Sequence, residues 1–335
     1  MLRSSSSDFT EMLRKSSAAI HHARIVYFCD APPEFRRPYI MSAYRVNHSV
    51  SECLRSLFQL HNETFNVWLH LVGCMIFLAL LFTVSSTPCE VERCPERWPL
   101  YAFVASALVC LSASCAYHLV GTANEKWSLQ FEKWDYFGIG ERAPHSARSS
   151  SLQCLLSFSS DALGPTCGCV PAGAVALIVG SCLPVVHYGF GEAYHTARTC
   201  YMLAIAAIGA GVTACSLLPW FDRWAWTRVL MFISLALCGV IALLHAMVAH
   251  DYSPRTVALL TGVLQMGATY LFGVFLYMLH VPESLVPRRF SRVTDIWGSS
   301  HQLWHACVLA AACKHFRTVL ALWHATAHLP VVSVG

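Results

Sequence analysis

The strongest constraint on the fold of this chain is a series of seven apolar runs, each close to the length that a helix needs to cross a membrane. The hydrocarbon core of a bilayer is about 30 Å thick, a distance that about 20 helical residues span. The runs cover residues 67–86, 99–119, 174–190, 200–219, 229–249, 258–280 and 297–320, and residues 135–140 add to the third. Because a helix satisfies its own backbone hydrogen bonds inside lipid, the sequence predicts an all-α bundle of seven transmembrane helices.

The amino-acid composition supports a membrane location. Of the 335 residues, 56% are hydrophobic and only 13% are charged, which is typical of membrane proteins rather than of soluble domains. The formal net charge of +4 is small for this length and is not gathered into one basic face, so nucleic acid is not expected as a partner. We predict an integral, multi-pass membrane protein, with plasma membrane and endomembrane both open.

The distribution of lysine and arginine predicts how the bundle is oriented, because cytoplasmic loops are enriched in these residues. The N-terminal segment and the second, fourth and sixth loops carry more of them than the opposite side does. The N-terminus is therefore predicted in the cytoplasm and the C-terminus outside. We divide the chain into a cytoplasmic N-terminal segment over residues 1–60, with a flexible leader over 1–40, and a seven-helix membrane domain over 61–330.

The cysteines divide into two groups. Most of the 16 cysteines lie inside apolar runs, where they are interpreted as small buried hydrophobic residues. Cys89 and Cys94 instead flank a short polar loop and can pair if that loop faces an oxidising compartment.

Three histidines and one aspartate are predicted to meet at the cytoplasmic ends of three helices. His118 lies at the end of the second run, Asp135 at the start of the third, and His301 and His305 at the start of the seventh. The last two are four residues apart on one helix face, a spacing at which two imidazoles can reach the same ion. Ser114 precedes His118 by one turn on the same face of its helix.

This group of side chains resembles a metal site. Three neutral imidazoles with one open position are typical of catalytic zinc, and a nearby acid can hold a water and take its proton. Ionisable groups inside a membrane are costly, so several at one depth indicate a functional site. The alternative is that they are ordinary interfacial side chains, since 17 histidines produce such spacings by chance. His324 and His328 share the spacing at the opposite end, and we interpret that pair as chance.

Four segments of the chain resemble, in order and spacing, the signature blocks of a known family. They are "HNETFNVWLHLVG" (61–73), "SASCAYHLV" (112–120), "FEKWDYFGIG" (131–140) and "GSSHQLWHACVLAAA" (298–312). Together they are similar to the progestin and adipoQ receptor family, which includes the adiponectin receptors and is related to the haemolysin III proteins. The resemblance covers most of residues 42–318.

The resemblance implies a zinc ion bound by His118, His301 and His305. It also implies that Asp135 meets the zinc through a water and that Ser114 supports that water. Members of the family with this site have been linked to the hydrolysis of ceramide-like lipid amides, and some to hormone signalling. A further block of the family maps to Glu63 and Asn66, polar residues at the start of the first spanning helix. We interpret Glu63 as a cap of that helix, near its positive end.

Two functions follow as hypotheses. The first is a zinc-dependent lipid-amide hydrolase with a ceramide-like substrate, in which Asp135 relays a proton to the leaving amine. The second is a non-enzymatic signalling receptor whose zinc only ties the helices together. The sequence identifies neither the natural ligand nor a protein partner.

One segment departs from the family pattern. Residues 141–173 are rich in serine, proline and glycine and contain two arginines, so they cannot cross hydrocarbon unsatisfied. They separate Asp135 from the apolar run over 174–190. A long cytoplasmic insertion, a regulatory loop and translated non-coding sequence are three explanations. We favour the third, because a junction inside a helix has no evident physical rationale.

Overall fold

A computed structural model describes residues 24–32, 35–88, 94–121, 123, 172–216, 225–287 and 290–327 of the chain. In chain order the helices of these residues are α1 (Val50–Arg55), α2 (Thr64–Ser86), α3 (Trp98–Val120), α4 (Ala172–Phe190), α5 (His195–Ser216), α6 (Ala225–Ala249), α7 (Pro254–Met278), α8 (Ser291–Ile296) and α9 (Ser300–Ala327). Within this part of the chain, the seven helices other than α1 and α8 are long and apolar enough to cross a membrane. The predicted seven-helix bundle is confirmed.

The ends of the spanning helices differ from the predicted ends by a few residues, because local backbone chemistry decides them. The last helix begins at Ser300 rather than at residue 297, since Gly298 adopts a left-handed φ of 75° that a helix cannot contain. At the start of α7, the Ser253 side chain accepts a hydrogen bond from the backbone N–H of Thr256, and Pro254 occupies the first turn, which is a favoured helix start.

Three pairs of helices form the closest contacts of the bundle. α7 packs along α9, and α3 lies between α2 and α4. A Cβ atom added to Gly273 of α7 would lie 2.7 Å from the Cβ of Cys307 on α9, so the absence of a side chain allows these two backbones to approach. α9 also contacts α2, α3 and α4. The start of α9 lies beside the start of α2 and the C-terminal end of α3.

The N-terminal segment is folded where the structure describes it, so the expected flexible leader is wrong for residues 24–32 and 35–40. Strands β1 (Arg24–Val26) and β2 (Tyr44–Val46) pair antiparallel, a small addition to the all-α prediction. Asp295 then ties this segment to α8. Its carboxylate accepts hydrogen bonds from the backbone N–H of Met41 at 2.9 Å and from the Ser42 hydroxyl at 2.6 Å. The segment therefore crosses the end of the bundle at which α2 and α9 begin.

Several predicted features lie partly outside the described residues. Asp135, residues 135–140 and residues 141–171 belong to that group. Residues 172 and 173, assigned to the insertion, are instead the first residues of α4. Cys94 is disulfide-bonded, whereas its expected partner Cys89 is outside the described residues.

Candidate metal centre

Four histidines from three helices meet at one end of the bundle. His70 lies in the second turn of α2, His118 in the last turn of α3, and His301 and His305 in the first two turns of α9. Three of them are buried, with exposed fractions of 2% for His70 and His118 and 4% for His305, whereas His301 is half-buried. The structure thus brings together the three histidines that the sequence singled out and adds a fourth.

The imidazole nitrogens of the predicted three point at one another. The Nε2 atoms of His118 and His305 are 3.1 Å apart, and those of His305 and His301 are 3.0 Å apart. Two nitrogens bound to one tetrahedral zinc at about 2.0–2.1 Å would be about 3.4 Å apart. These two separations differ from that value by a few tenths of an ångström, so His305 is placed to share a metal ion with His118 or with His301.

His70 defines a second candidate triad. Ligand nitrogens of His70, His118 and His305 all lie within 4.8 Å of one another, and the rings of His70 and His305 have centroids 4.3 Å apart. Three buried histidines close together, His70, His118 and His305, can therefore hold a metal ion. His70 is not among the ligands predicted from the sequence, although an ionisable residue inside an apolar run is itself a signal of function.

Glu63 contacts His118 instead of capping α2, so the capping interpretation is wrong. It is the N-cap residue, but its side chain makes no capping hydrogen bond. Its Oε2 atom lies 2.8 Å from Nδ1 of His118 and also accepts a hydrogen bond from the Asn66 amide. A carboxylate on one imidazole nitrogen fixes the tautomer and leaves the other nitrogen to bind a metal. Glu63 thereby directs Nε2 of His118 toward the cluster.

Arg45 holds the helix end that carries His118. This arginine is 2% exposed and is the middle residue of β2. Its guanidinium donates hydrogen bonds to the backbone carbonyls of His118 at 2.6 Å and Leu119 at 3.0 Å. A third hydrogen bond reaches the Ser56 hydroxyl. The last carbonyls of a helix have no partner within the helix, and a cation there also interacts favourably with the helix dipole.

The two residues predicted to act in catalysis are placed differently. Ser114 is buried, and its Oγ lies 3.0 Å from Nε2 of His70; its proposed support of a water stays a prediction. Asp135 lies outside the described residues, and its role stays a prediction as well.

Seven spanning helices with a cluster of buried imidazoles at one end define an integral, multi-pass membrane protein with a site that can hold a metal ion. The chain belongs to the haemolysin III-related family, whose model matches residues 58–140 and 172–316. The family resemblance noted in the sequence is thereby confirmed. Residues 141–171 fall between the two matched parts; that they are an insertion stays a prediction.

Curated relatives from distant eukaryotes support the same family. The chain is similar to an adiponectin receptor protein of Drosophila melanogaster, with 30% identity over 81% of this chain and 53% of the relative. It is also similar to progestin and adipoQ receptor-like protein 1 of Caenorhabditis elegans, with 29% identity over 80% and 53%. A third relative is heptahelical transmembrane protein 1 of Arabidopsis thaliana, with 27% identity over 88% and 80%. The chain thus spans about half the length of the first two.

Proposed function

We propose that this chain is a zinc-dependent membrane hydrolase of the adiponectin receptor type, with a ceramide-like lipid amide as its substrate. The observation that carries the proposal is that Nε2 of His305 lies 3.1 Å from that of His118 and 3.0 Å from that of His301. The names of the relatives, which include an adiponectin receptor, support the receptor type. The charge distribution supports a cytoplasmic location of the site.

The family resemblance favours His301 over His70 as the third ligand, since His301 stands at a ligand position of the family's matching block. The His70 Nε2 atom lies 3.0 Å from the Ser114 hydroxyl, and the Nε2 atom of His301 faces that of His305. In this proposal His70 packs beside the ligands and Ser114 steadies it.

Each residue of the site has a role in the proposed reaction. Zinc, when bound, would act as a Lewis acid toward the amide carbonyl and lower the pKa of a water. Glu63 holds the His118 ring so that Nε2 stays a lone-pair donor. Asp135 takes the proton of the attacking water and passes it to the amide nitrogen. The carbon–nitrogen bond then breaks, releasing a fatty acid and an amine.

A second function has an observation in its favour. The cluster joins residues of α2, α3 and α9, so a metal there would also tie three helix ends together. A non-enzymatic signalling receptor with a structural zinc is therefore the alternative, and two of the relatives are named as receptors or receptor-like.

Metal analysis tests the ligand assignment. The purified chain is expected to contain about one zinc per molecule, and His301→Ala is expected to lose it. His70→Ala should retain the metal, because His70 is not a ligand in this proposal. His324→Ala serves as the matched control, since His324 is exposed on the same helix, about 34 Å along its axis from His301. Full zinc content in His301→Ala would refute the assignment.

A hydrolysis assay separates the enzyme from the structural alternative. The purified chain, incubated with a ceramide, is expected to release free fatty acid, and a zinc chelator should suppress the release. Asp135→Asn should keep the metal and lose the activity. Fatty-acid release that is absent while zinc is bound would reject the hydrolase and favour the receptor with a structural zinc.

A further inference from the structure

Arg37 stands at the half-buried edge of the histidine cluster. This edge also contains Tyr117, whose ring centroid is 5.0 Å from that of His118, and Tyr277, whose centroid is 5.4 Å from that of His301. Arg37 comes from the N-terminal segment that crosses this end of the bundle, and its Nη2 donates a hydrogen bond to the Tyr117 hydroxyl at 3.0 Å. His118 and His305 behind this edge are buried, whereas His301, Tyr117, Tyr277 and Arg37 are half-buried, so the edge is the more accessible side of the site.

The guanidinium of Arg37 has donors to spare, unlike those of Arg36, Arg45 and Arg97. Arg36, Arg45 and Arg97 each direct at least two hydrogen bonds to protein oxygens, mostly backbone carbonyls. Among the described residues, the Arg37 guanidinium donates to Tyr117 alone. A guanidinium carries five N–H groups in a planar fork that matches an oxyanion, so most of the fork remains for a ligand.

The nearby carboxylate does not consume the charge of Arg37. Glu63 interacts with Arg37 electrostatically, but its carboxylate is hydrogen-bonded to His118 and Asn66. No ion pair joins Arg37 to Glu63 in the part of the chain that the structure describes. With a divalent cation in the cluster, the positive charge of the cation and Arg37 would exceed the negative charge of Glu63 and Asp135 together. An excess of positive charge in a partly buried site favours an anionic ligand.

The surroundings of this edge indicate an amphiphilic ligand. Tyr277 is followed by Met278 and Leu279, which are 52% and 48% exposed where α7 ends. Apolar side chains exposed at the end of a spanning helix face lipid. A ligand held by Arg37 beside Tyr277 can therefore place a hydrocarbon chain along these exposed side chains.

We propose that Arg37, steadied by Tyr117, is the anion-recognition residue of the site and selects lipids with an oxyanion head group over neutral lipids of the same chain length. The inference rests on the proposed function and deepens it: the ceramide-like substrate is neutral, so Arg37 acts on the released fatty acid, which is the anionic product. Arg37 is a specificity-determining residue and takes no part in bond cleavage. Carboxylate and phosphate-ester head groups share the required chemistry.

Equilibrium binding to the full chain in zwitterionic nanodiscs tests the proposal. The probe is radiolabelled hexadecanoate at about pH 8.5, where the carboxylate is ionised. The competitors are hexadecanol, monohexadecyl phosphate, acetate and inorganic phosphate. A hydrogen bond to a charged group is worth about 1.5–3 kcal/mol, so the wild type should favour hexadecanoate over hexadecanol by about tenfold or more. Monohexadecyl phosphate should compete well, and free acetate or phosphate should compete poorly.

Three variants give the proposal its sharpest form. Arg37→Gln should bind hexadecanoate and hexadecanol within about threefold of each other, with unchanged zinc content as the test of folding. Tyr117→Phe should lose part of the preference, which keeps the test decisive if Arg37→Gln does not fold. Arg55→Gln, which removes an exposed charge of α1, should behave as the wild type.

Each remaining outcome overturns a defined statement. Equal affinity of the wild type for the acid and the alcohol, or an unchanged preference in Arg37→Gln, would reject the role of Arg37. Displacement of hexadecanoate by free phosphate as readily as by monohexadecyl phosphate would reject the lipid as the source of the anion. A full preference without any ceramide hydrolysis would reject only the hydrolase, so the two proposals fail separately.

Discussion

The histidines at the two ends of the bundle differ in what their ring nitrogens face. In the cluster, Nε2 of His305 faces imidazole nitrogens of His118 and His301. In the middle of the bundle and at its other end, ring nitrogens face ordinary protein partners. His315 contacts the backbone carbonyl of Ser181 at 2.9 Å, His250 contacts that of Phe190 at 3.0 Å, and His187 contacts a carboxylate oxygen of Glu96 at 3.5 Å.

The contrast shows how the same side chain becomes structural or functional. A histidine that donates to a backbone carbonyl has its tautomer fixed and satisfies a polar group in a medium without water. Imidazole nitrogens that converge on one another share a position that a proton or a metal cation fills. The direction of the ring nitrogens, rather than burial alone, therefore separates a packing histidine from a candidate ligand.

The largest expected effect is the loss of metal-dependent stability in His305→Ala. A ligand at a thousandfold excess over its dissociation constant stabilises the folded state by about 4 kcal/mol. A chelator should therefore lower the melting temperature of the wild type strongly and leave that of His305→Ala unchanged. The matched control is His315→Ala, on the same helix and also buried. It should start from a lower melting temperature, because His315 packs against Phe103, yet keep the full chelator effect.

Two results would break this comparison. A chelator effect that persists in His305→Ala would move the metal away from the cluster. A chelator effect that disappears in His315→Ala would show that the middle of α9 also controls the metal, and the division between packing and ligand histidines would fail.

A smaller effect is expected from Glu63→Gln. The amide oxygen accepts from Nδ1–H of His118 more weakly than a carboxylate does, and the amide NH2 can instead donate to Nδ1, so the ring loses its fixed tautomer. Loss of such a partner typically lowers metal affinity by 10-fold to 100-fold, in order of magnitude about 1.4–2.8 kcal/mol. Competition with a fluorescent zinc chelator measures the change. Glu96→Gln changes the carboxylate that contacts His187 at the other end and should leave zinc affinity unaltered; an equal loss in both variants would indicate a general loss of stability.

The sequence predicted the spanning helices well because run length and hydropathy depend on local residues alone. It also predicted that His118, His301 and His305 approach one another, since helix order and charge bias place three helix ends on one side. The predicted positions of the helix ends were less accurate. The left-handed backbone at Gly298, which sets the start of α9, leaves little signal in an apolar run.

What the sequence missed depends on contacts between distant residues. Local chemistry makes Glu63 a helix cap, but its carboxylate contacts His118, 55 residues away. The N-terminal segment looked polar and flexible, yet Asp295 holds it from 253 residues away through Ser42. His70 is one polar residue in an apolar run, and only the packing of α2 on α3 brings it to the cluster. Rotation of a helix about its axis decides such contacts, and the sequence pattern does not specify it closely.

The smallest effect we expect separates the cluster from a histidine next to it, through the dependence of stability on pH. His61 precedes α2 and is fully buried. Its Nδ1 accepts a hydrogen bond from the backbone N–H of Glu63 at 3.1 Å. Burial lowers the pKa of His61 from its ordinary 6.5 to about 3, and Arg45 adds to the shift.

The sign of the pH effect follows from proton binding by the unfolded chain. Between about pH 6.5 and pH 3 the unfolded state binds a proton at His61 and the folded state does not, so stability is full above this range and falls as the pH falls. From pH 6.5 to pH 5.5 the loss is about 1 kcal/mol. His61→Asn keeps an acceptor for Glu63 and should show a flatter decline. Hydrogen exchange at residues 42–64 measures the decline in stability with pH in the wild type and in His61→Asn. The metal-free protein is used for both, so that metal release at low pH cannot cause the decline. Equal slopes in the two proteins would show that His61 does not set the acid sensitivity of this segment.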